Sequence, residues 1–353
     1  MNRKFFIAAL AAASLTTPAL AAELSFTSWG GAYQEVQEKT AVKPFGAKEK
    51  VNVKSSTYNG GIAQIRAQVQ TGSVSWDVVD IQLADAIRAC DEGLLEKISP
   101  ADLATGKDGS APAQDFMPNS LNDCMAGLAV WSTVLSYDKT KVGAQAPTKV
   151  ADFFDLKKYP GKRALRKSPE GAMEWALVAD GVKPAEVYKV LGTPAGVARA
   201  FKKLDTIKAS IVWWEAGAQP PQLLADGEVV MTSAYANRIY DSIAVYKKPF
   251  DFIWDAQLTN VEGYAIVKGS RNLKEAKAFV RFATEATQQA ALGSLTGMGP
   301  VRKSAAGLVD PKVQPYMPTN PKNLAGALGV DFAFWADHGD DLNQKFAAWL
   351  GQK

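Results

Sequence analysis

Histidine is almost missing from this chain: His338 is the only one among 353 residues, in the polar setting Asp337-His338-Gly339-Asp340 near the end. Nucleophilic triads and zinc centres draw on positioned histidines, so both lose their usual base or ligand. No Gly-x-Ser-x-Gly elbow, P-loop or HExxH run makes up for it. A carboxylate-based hydrolase stays open, since acid pairs are abundant and their separation is invisible in sequence. Cysteine is scarce too, with Cys90 and Cys124 alone and no CxxC spacing. Basic runs go no further than pairs such as Lys157-Lys158 and Lys247-Lys248, which argues against a nucleic-acid partner.

Long apolar runs are absent as well; none approaches the ~20 residues of a membrane helix. The apolar run from Phe5 to about Leu15 follows Asn2-Arg3-Lys4 and leads to Ala19-Leu20-Ala21, the pattern of a secretory signal peptide over 1–21. Without Arg3 and Lys4, the 40 basic residues fall to 38 against 36 acidic, a near-balanced exported chain. In an oxidising compartment Cys90 and Cys124 are expected to form one disulfide, with free thiols or a metal site as alternatives.

What is present alternates between strand and helix patterns, an α/β class with two lobes for a chain this long. Phe26-Thr27-Ser28 runs as a strand into Trp29-Gly30-Gly31-Ala32-Tyr33, where paired glycines allow a sharp turn and two aromatics offer flat faces to a ligand. Trp76 to Ile81 reads as a buried parallel strand, placing Gln82 at its carboxyl end, where open α/β sheets bind ligands. Gly127 to Tyr137 is a long strand that crosses between domains. Arg166 precedes Ser168-Pro169-Glu170, which predicts a capped helix start suited to an anion. The strand Glu228 to Ser233 delivers Tyr235, Asn237 and Arg238. Further strands are expected over 252–255 and 263–267, with Glu262 at the entrance of the second. A last helix after Asp331 carries Phe332, Trp335, Leu342, Phe346 and Trp349 as a docking face.

Several of these stretches together, namely Phe26 to Tyr33, Trp76-Asp77-Val78-Val79-Asp80, Asp226 to Met231 and Gly263-Tyr264-Ala265-Ile266-Val267, resemble the periplasmic substrate-binding proteins of bacterial ABC importers, in their spermidine/putrescine-binding branch. The resemblance implies the type II periplasmic binding protein fold, with two Rossmann-like lobes, 22–130 plus 259–304 and 131–258 plus 305–353, around an interlobe cleft. It also implies a periplasmic, non-enzymatic monomer without cofactor or metal, whose partners are a small-molecule ligand and the permease subunits. In the family pattern Trp29, Tyr33 and Tyr235 match cleft aromatics, Glu262 an ammonium-binding acid and Glu170 a second acid. Gly30 and Gly31 replace polar residues, Met298 a tyrosine, and Arg166 stands where an acid is expected. A second ammonium would meet Arg166, so the expected ligand is a zwitterion such as a 4-aminobutyrate-like amino acid or an opine. Glu262 then takes the amine and Arg166 or Arg238 the carboxylate, with putrescine or spermidine as the alternative.

Overall fold

The computed structural model describes residues 22–352, so the expected signal peptide lies outside the described residues. Eight strands form the body of one sheet: β1 (Ala22–Ser28), β2 (Val51–Thr57), β3 (Val78–Gln82), β4 (Met125–Asp138), β5 (Arg163–Arg166), β6 (Ile211–Trp214), β7 (Met231–Tyr235) and β8 (Phe250–Ile266), ordered β2-β1-β3-β8-β4-β7-β5-β6. Strands β1, β2 and β3 are parallel, as are β5, β6 and β7. Between these halves run β4 and β8, antiparallel to each other and to their outer neighbours β7 and β3.

Each half is covered on both faces, which is why its strands read as dense apolar runs. Successive residues of β3 alternate between faces: Val78 packs with Phe26, Phe45, Tyr264 and Phe279, while Val79 and Ile81 pack with Ile65, Leu83 and Ala265. The second half has the same build, with Leu165, Trp175, Met231 and Phe346 in one core and Val134, Ala164, Trp214 and Phe252 in another. Helix Phe332–Gly351, capped by the Asp331 side chain, buries Phe334, Leu342, Phe346 and Trp349. Cys90 and Cys124 are disulfide-bonded, tying helix Leu83–Asp91 to the residue before β4.

Three local expectations change. The strands expected over 252–255 and 263–267 are parts of the single 17-residue β8. Asp255-Ala256-Gln257 breaks the apolar pattern because the strand bulges there, with Ala256 at φ 49° and the pairing with β4 shifting register. The helix after Arg166 runs over Pro169–Ala179, but Ser168 makes no capping bond and Glu170 and Gly171 have non-helical angles. Instead, the Glu174 carboxyl accepts the Gly171 N–H at 2.8 Å. Finally, Ala305, Val309, Val313 and Met317 pack against Ala286 and Ala290 of helix Ala286–Thr296, which belongs with the first half-sheet. Tyr316 also packs on Tyr240 and Phe252 of the second half, and the chain then passes beside Leu258-Thr259 of β8 through the two-residue strand Leu328–Gly329.

Candidate ligand cleft

Parallel strands place the loops that can meet a ligand at their carboxyl ends, and here both halves do so toward one cavity of about 260 Å³. From the first half come Trp29, Tyr33, Gln82, Glu262 and Met298; from the second come Tyr235, Asn237 and Arg238; Trp131, on the crossing strand β4, stands between them.

The turn after β1 sets the first wall. Gly30 and Gly31 have φ of 74° and 60°, angles that L side chains rarely adopt. Their conformation starts helix Gly31–Gln37 directly after Trp29, and the Gln34 side chain accepts the Gly30 N–H at 2.8 Å. Trp29 leans on Tyr58 with ring centroids 5.0 Å apart. Behind it Gly60, at φ 81°, has no room for a side chain, because a Cβ there would lie 2.8 Å from the indole. Tyr33, one turn into the helix, donates its hydroxyl to Glu262. Glu262 is positioned by register, opposite Gln82 in the β3–β8 ladder. The opposite wall is the end of β7: Tyr235 packs edge-on against Trp131 and Trp214, and helix Ala236–Ala244 supplies Asn237 and Arg238.

The cavity lining carries side chains of both charge types. Glu262 is 5% exposed and enters none of the ion pairs among the described residues. Burial, and then the charge of Asp80, push its carboxyl well above the ordinary range, against the pull of the Tyr33 hydroxyl. Arg238, from the second half, is the cationic residue of the lining. The indole N–H of Trp131 is buried without a hydrogen-bond partner. An ammonium is suited to the acid end and a carboxylate to the arginine end.

Six of the residues singled out in the sequence thus meet here: Trp29, Tyr33, Gln82, Tyr235, Arg238 and Glu262. Arg166 and Glu170 do not line the cavity. Arg166 ends β5, its N–H bonded to the Ser233 hydroxyl at 3.1 Å, and its charge acts on Glu170, whose carboxyl burial raises. Trp131 was not singled out, and its only signal is its place in the middle of the long crossing strand.

Two α/β halves, joined by crossover strands, that together line a small cavity holding a buried acid and an arginine form the framework of a solute-capture protein. The chain belongs to the bacterial extracellular solute-binding proteins, whose family model matches residues 40–319. It is 44% identical over 331 residues to the gamma-aminobutyric acid-binding protein of Pseudomonas aeruginosa, covering 93% of this chain and 91% of that one. Among solved structures, the Atu4243-GABA receptor is 32% identical with a TM-score of 0.80, covering 94% of this chain and 98% of that one. MotA from A. tumefaciens B6, solved with glucopine, is 32% identical with a TM-score of 0.77, covering 93% and 99%.

Proposed function

We propose that this protein captures a small zwitterion with separated amine and carboxylate ends, 4-aminobutyrate foremost, in the periplasm and hands it to the permease of an ABC importer. The observation that carries this reading is that one small cavity is lined by both a buried acid, Glu262 from the first half, and an arginine, Arg238 from the second. Trp29, Tyr33, Trp131 and Tyr235 supply flat apolar faces for the methylenes between them. The relatives named for GABA support it. Size supports it as well: about 260 Å³ lies below the ~300–1,000 Å³ of drug-sized sites, which favours 4-aminobutyrate over a sugar-bearing opine. Trp29 and Glu262 serve the amine end, and Arg238, Asn237 and the Trp131 N–H the carboxylate end. Such a protein returns its ligand unchanged and needs no catalytic group.

The polyamine branch suggested by sequence gives the second reading. A diamine would leave its second ammonium facing Arg238, a like-charge contact that is costly in a closed cleft. Calorimetry with 4-aminobutyrate and putrescine, on the parent and on Arg238→Ala, separates the two. Loss of one charge-assisted bond weakens 4-aminobutyrate by about 10- to 100-fold, while putrescine binding improves or stays weak. Tight putrescine binding that ignores Arg238→Ala would sink the zwitterion reading.

A further inference from the structure

Behind the acidic end lies a carboxylate outside the cavity lining. Asp80 is fully buried on β3, paired with Tyr264 and two residues before Gln82, so its side chain shares a sheet face with those of Glu262 and Tyr264. The Gln37 amide reaches Asp80 Oδ2 at 2.7 Å, the Tyr264 hydroxyl at 3.2 Å and the Tyr33 hydroxyl at 3.3 Å. Tyr33 in turn donates to Glu262, so one amide and one phenol link the two acids. The Ser28 hydroxyl donates to the same Asp80 oxygen at 3.2 Å, and among the described residues the other Asp80 oxygen has no hydrogen-bond partner. The titratable groups around the pair are Tyr33 from helix Gly31–Gln37, Tyr58 after β2, Tyr264 on β8, and Tyr235 and Arg238 across the cavity. Neither acid belongs to any ion pair among the described residues. Two carboxylates packed behind one small cavity do not both ionise cheaply.

We propose that Asp80 and Glu262 hold a proton between them in the ligand-free cleft, and that a captured ammonium takes its place, so that binding releases a proton. This rests on the reading that an ammonium occupies the acidic end. The acid O–H breaks, its proton passes to buffer, and the ligand keeps all its N–H bonds. Asp80 is then a positioning residue that sets the ionisation of Glu262. Consistent with this, burial moves the Asp80 carboxyl up to about 6 even though Gln37 and Ser28 stabilise its charge.

Calorimetry of the full chain with 4-aminobutyrate, between about pH 5 and pH 8 in buffers of different ionisation heat, counts the protons released. The ligand amine, with a pKa of about 10, keeps its charge throughout this range. The expected result is up to one proton released, with affinity rising by up to about tenfold per pH unit and then levelling. Asp80→Asn moves that plateau to lower pH. Buffer-independent heats with flat affinity would overturn the proposal and leave the function intact. If 4-aminobutyrate fails to bind and putrescine binds, the zwitterion reading fails, and the same proton count with putrescine judges this one. The ligand-free chain gives an independent check by carbon-13 titration of its carboxyls: one of this pair must titrate well above the ordinary range. If both ionise within it, the proposal falls whatever the ligand.

Discussion

Glu174→Gln is expected to abolish the pH dependence of one part of the stability. Glu174 is fully buried on helix Pro169–Ala179. Its carboxyl accepts the Gly171 N–H at 2.8 Å, the Trp335 indole N–H at 3.1 Å and the Tyr188 hydroxyl at 3.2 Å. Among the described residues no cation pairs with it, and burial followed by the charge of Glu170 pushes it from 4.5 up to about 8. A raised carboxyl binds its proton more tightly in the folded chain than in the unfolded one. Its stabilising effect is therefore complete below the unfolded value and is lost as pH rises toward the folded one. At about 1.4 kcal/mol per pKa unit the loss across that window amounts to about 5 kcal/mol. Glutamine cannot ionise but has one acceptor oxygen fewer, a pH-independent cost of about 1 kcal/mol. The variant should be slightly less stable than the parent at about pH 5 and more stable above about pH 8, so the two melting curves cross. Glu170, Asp80, Glu262 and Asp241 are raised in the same direction, so the difference between variant and parent is the quantity to follow. Melting temperatures that stay parallel from about pH 5 to pH 8.5 would refute the reasoning.

Two other perturbations test how the cleft is held. Gly60→Ala places a Cβ 2.8 Å from the Trp29 ring at φ 81°, whereas Gly61→Ala meets nothing at φ 73°; both should cost about 1 kcal/mol of backbone strain. Only Gly60→Ala should lower affinity for 4-aminobutyrate, by about tenfold, because it pushes the indole into the cavity; equal affinities would remove Trp29 from the ligand wall. Replacing Cys90 and Cys124 by serine opens a loop with a sequence separation of 34 and should lower unfolding free energy by about 3–4 kcal/mol in denaturant titrations without reductant. An unchanged midpoint would show that the surrounding core already restrains that loop.

Much of the fold was legible because its parallel strands are buried on both faces and bounded by glycine, proline and capping residues. Gly72 closes helix Ala63–Thr71 in the left-handed conformation, and Asp331 caps the last helix. The readings that failed are those where tertiary pairing overrides local pattern. β8 stays a strand through Asp255-Ala256-Gln257 because β4 pairs with it on either side of the bulge, and no local periodicity reports that partner. The segment after 304 goes to the first half because Ala305 and Val309 find Ala286 and Ala290, a choice between two apolar surfaces that small residues do not announce.

The site divides the same way. Residues at strand carboxyl ends were readable, since a β-to-helix turn with Gly30-Gly31, or with Asn237 and Arg238 just after β7, points at the cleft whichever ligand is bound. Arg166 obeyed the same rule and still missed the cavity, because a strand end specifies a sheet edge and not a neighbour, and its charge acts on Glu170 instead. Trp131 shows the converse. A residue in the middle of a crossing strand has no loop signature, yet in a two-lobed chain the midpoint of the crossing is the one strand position that both lobes face. The same topology brings Asp80 under Glu262: β3 is the last parallel strand of its half and β8 the crossing strand paired to it. An acid on the outermost parallel strand would be screened from the cleft, whereas one at the β3–β8 seam lies next to Glu262, which lines the cavity.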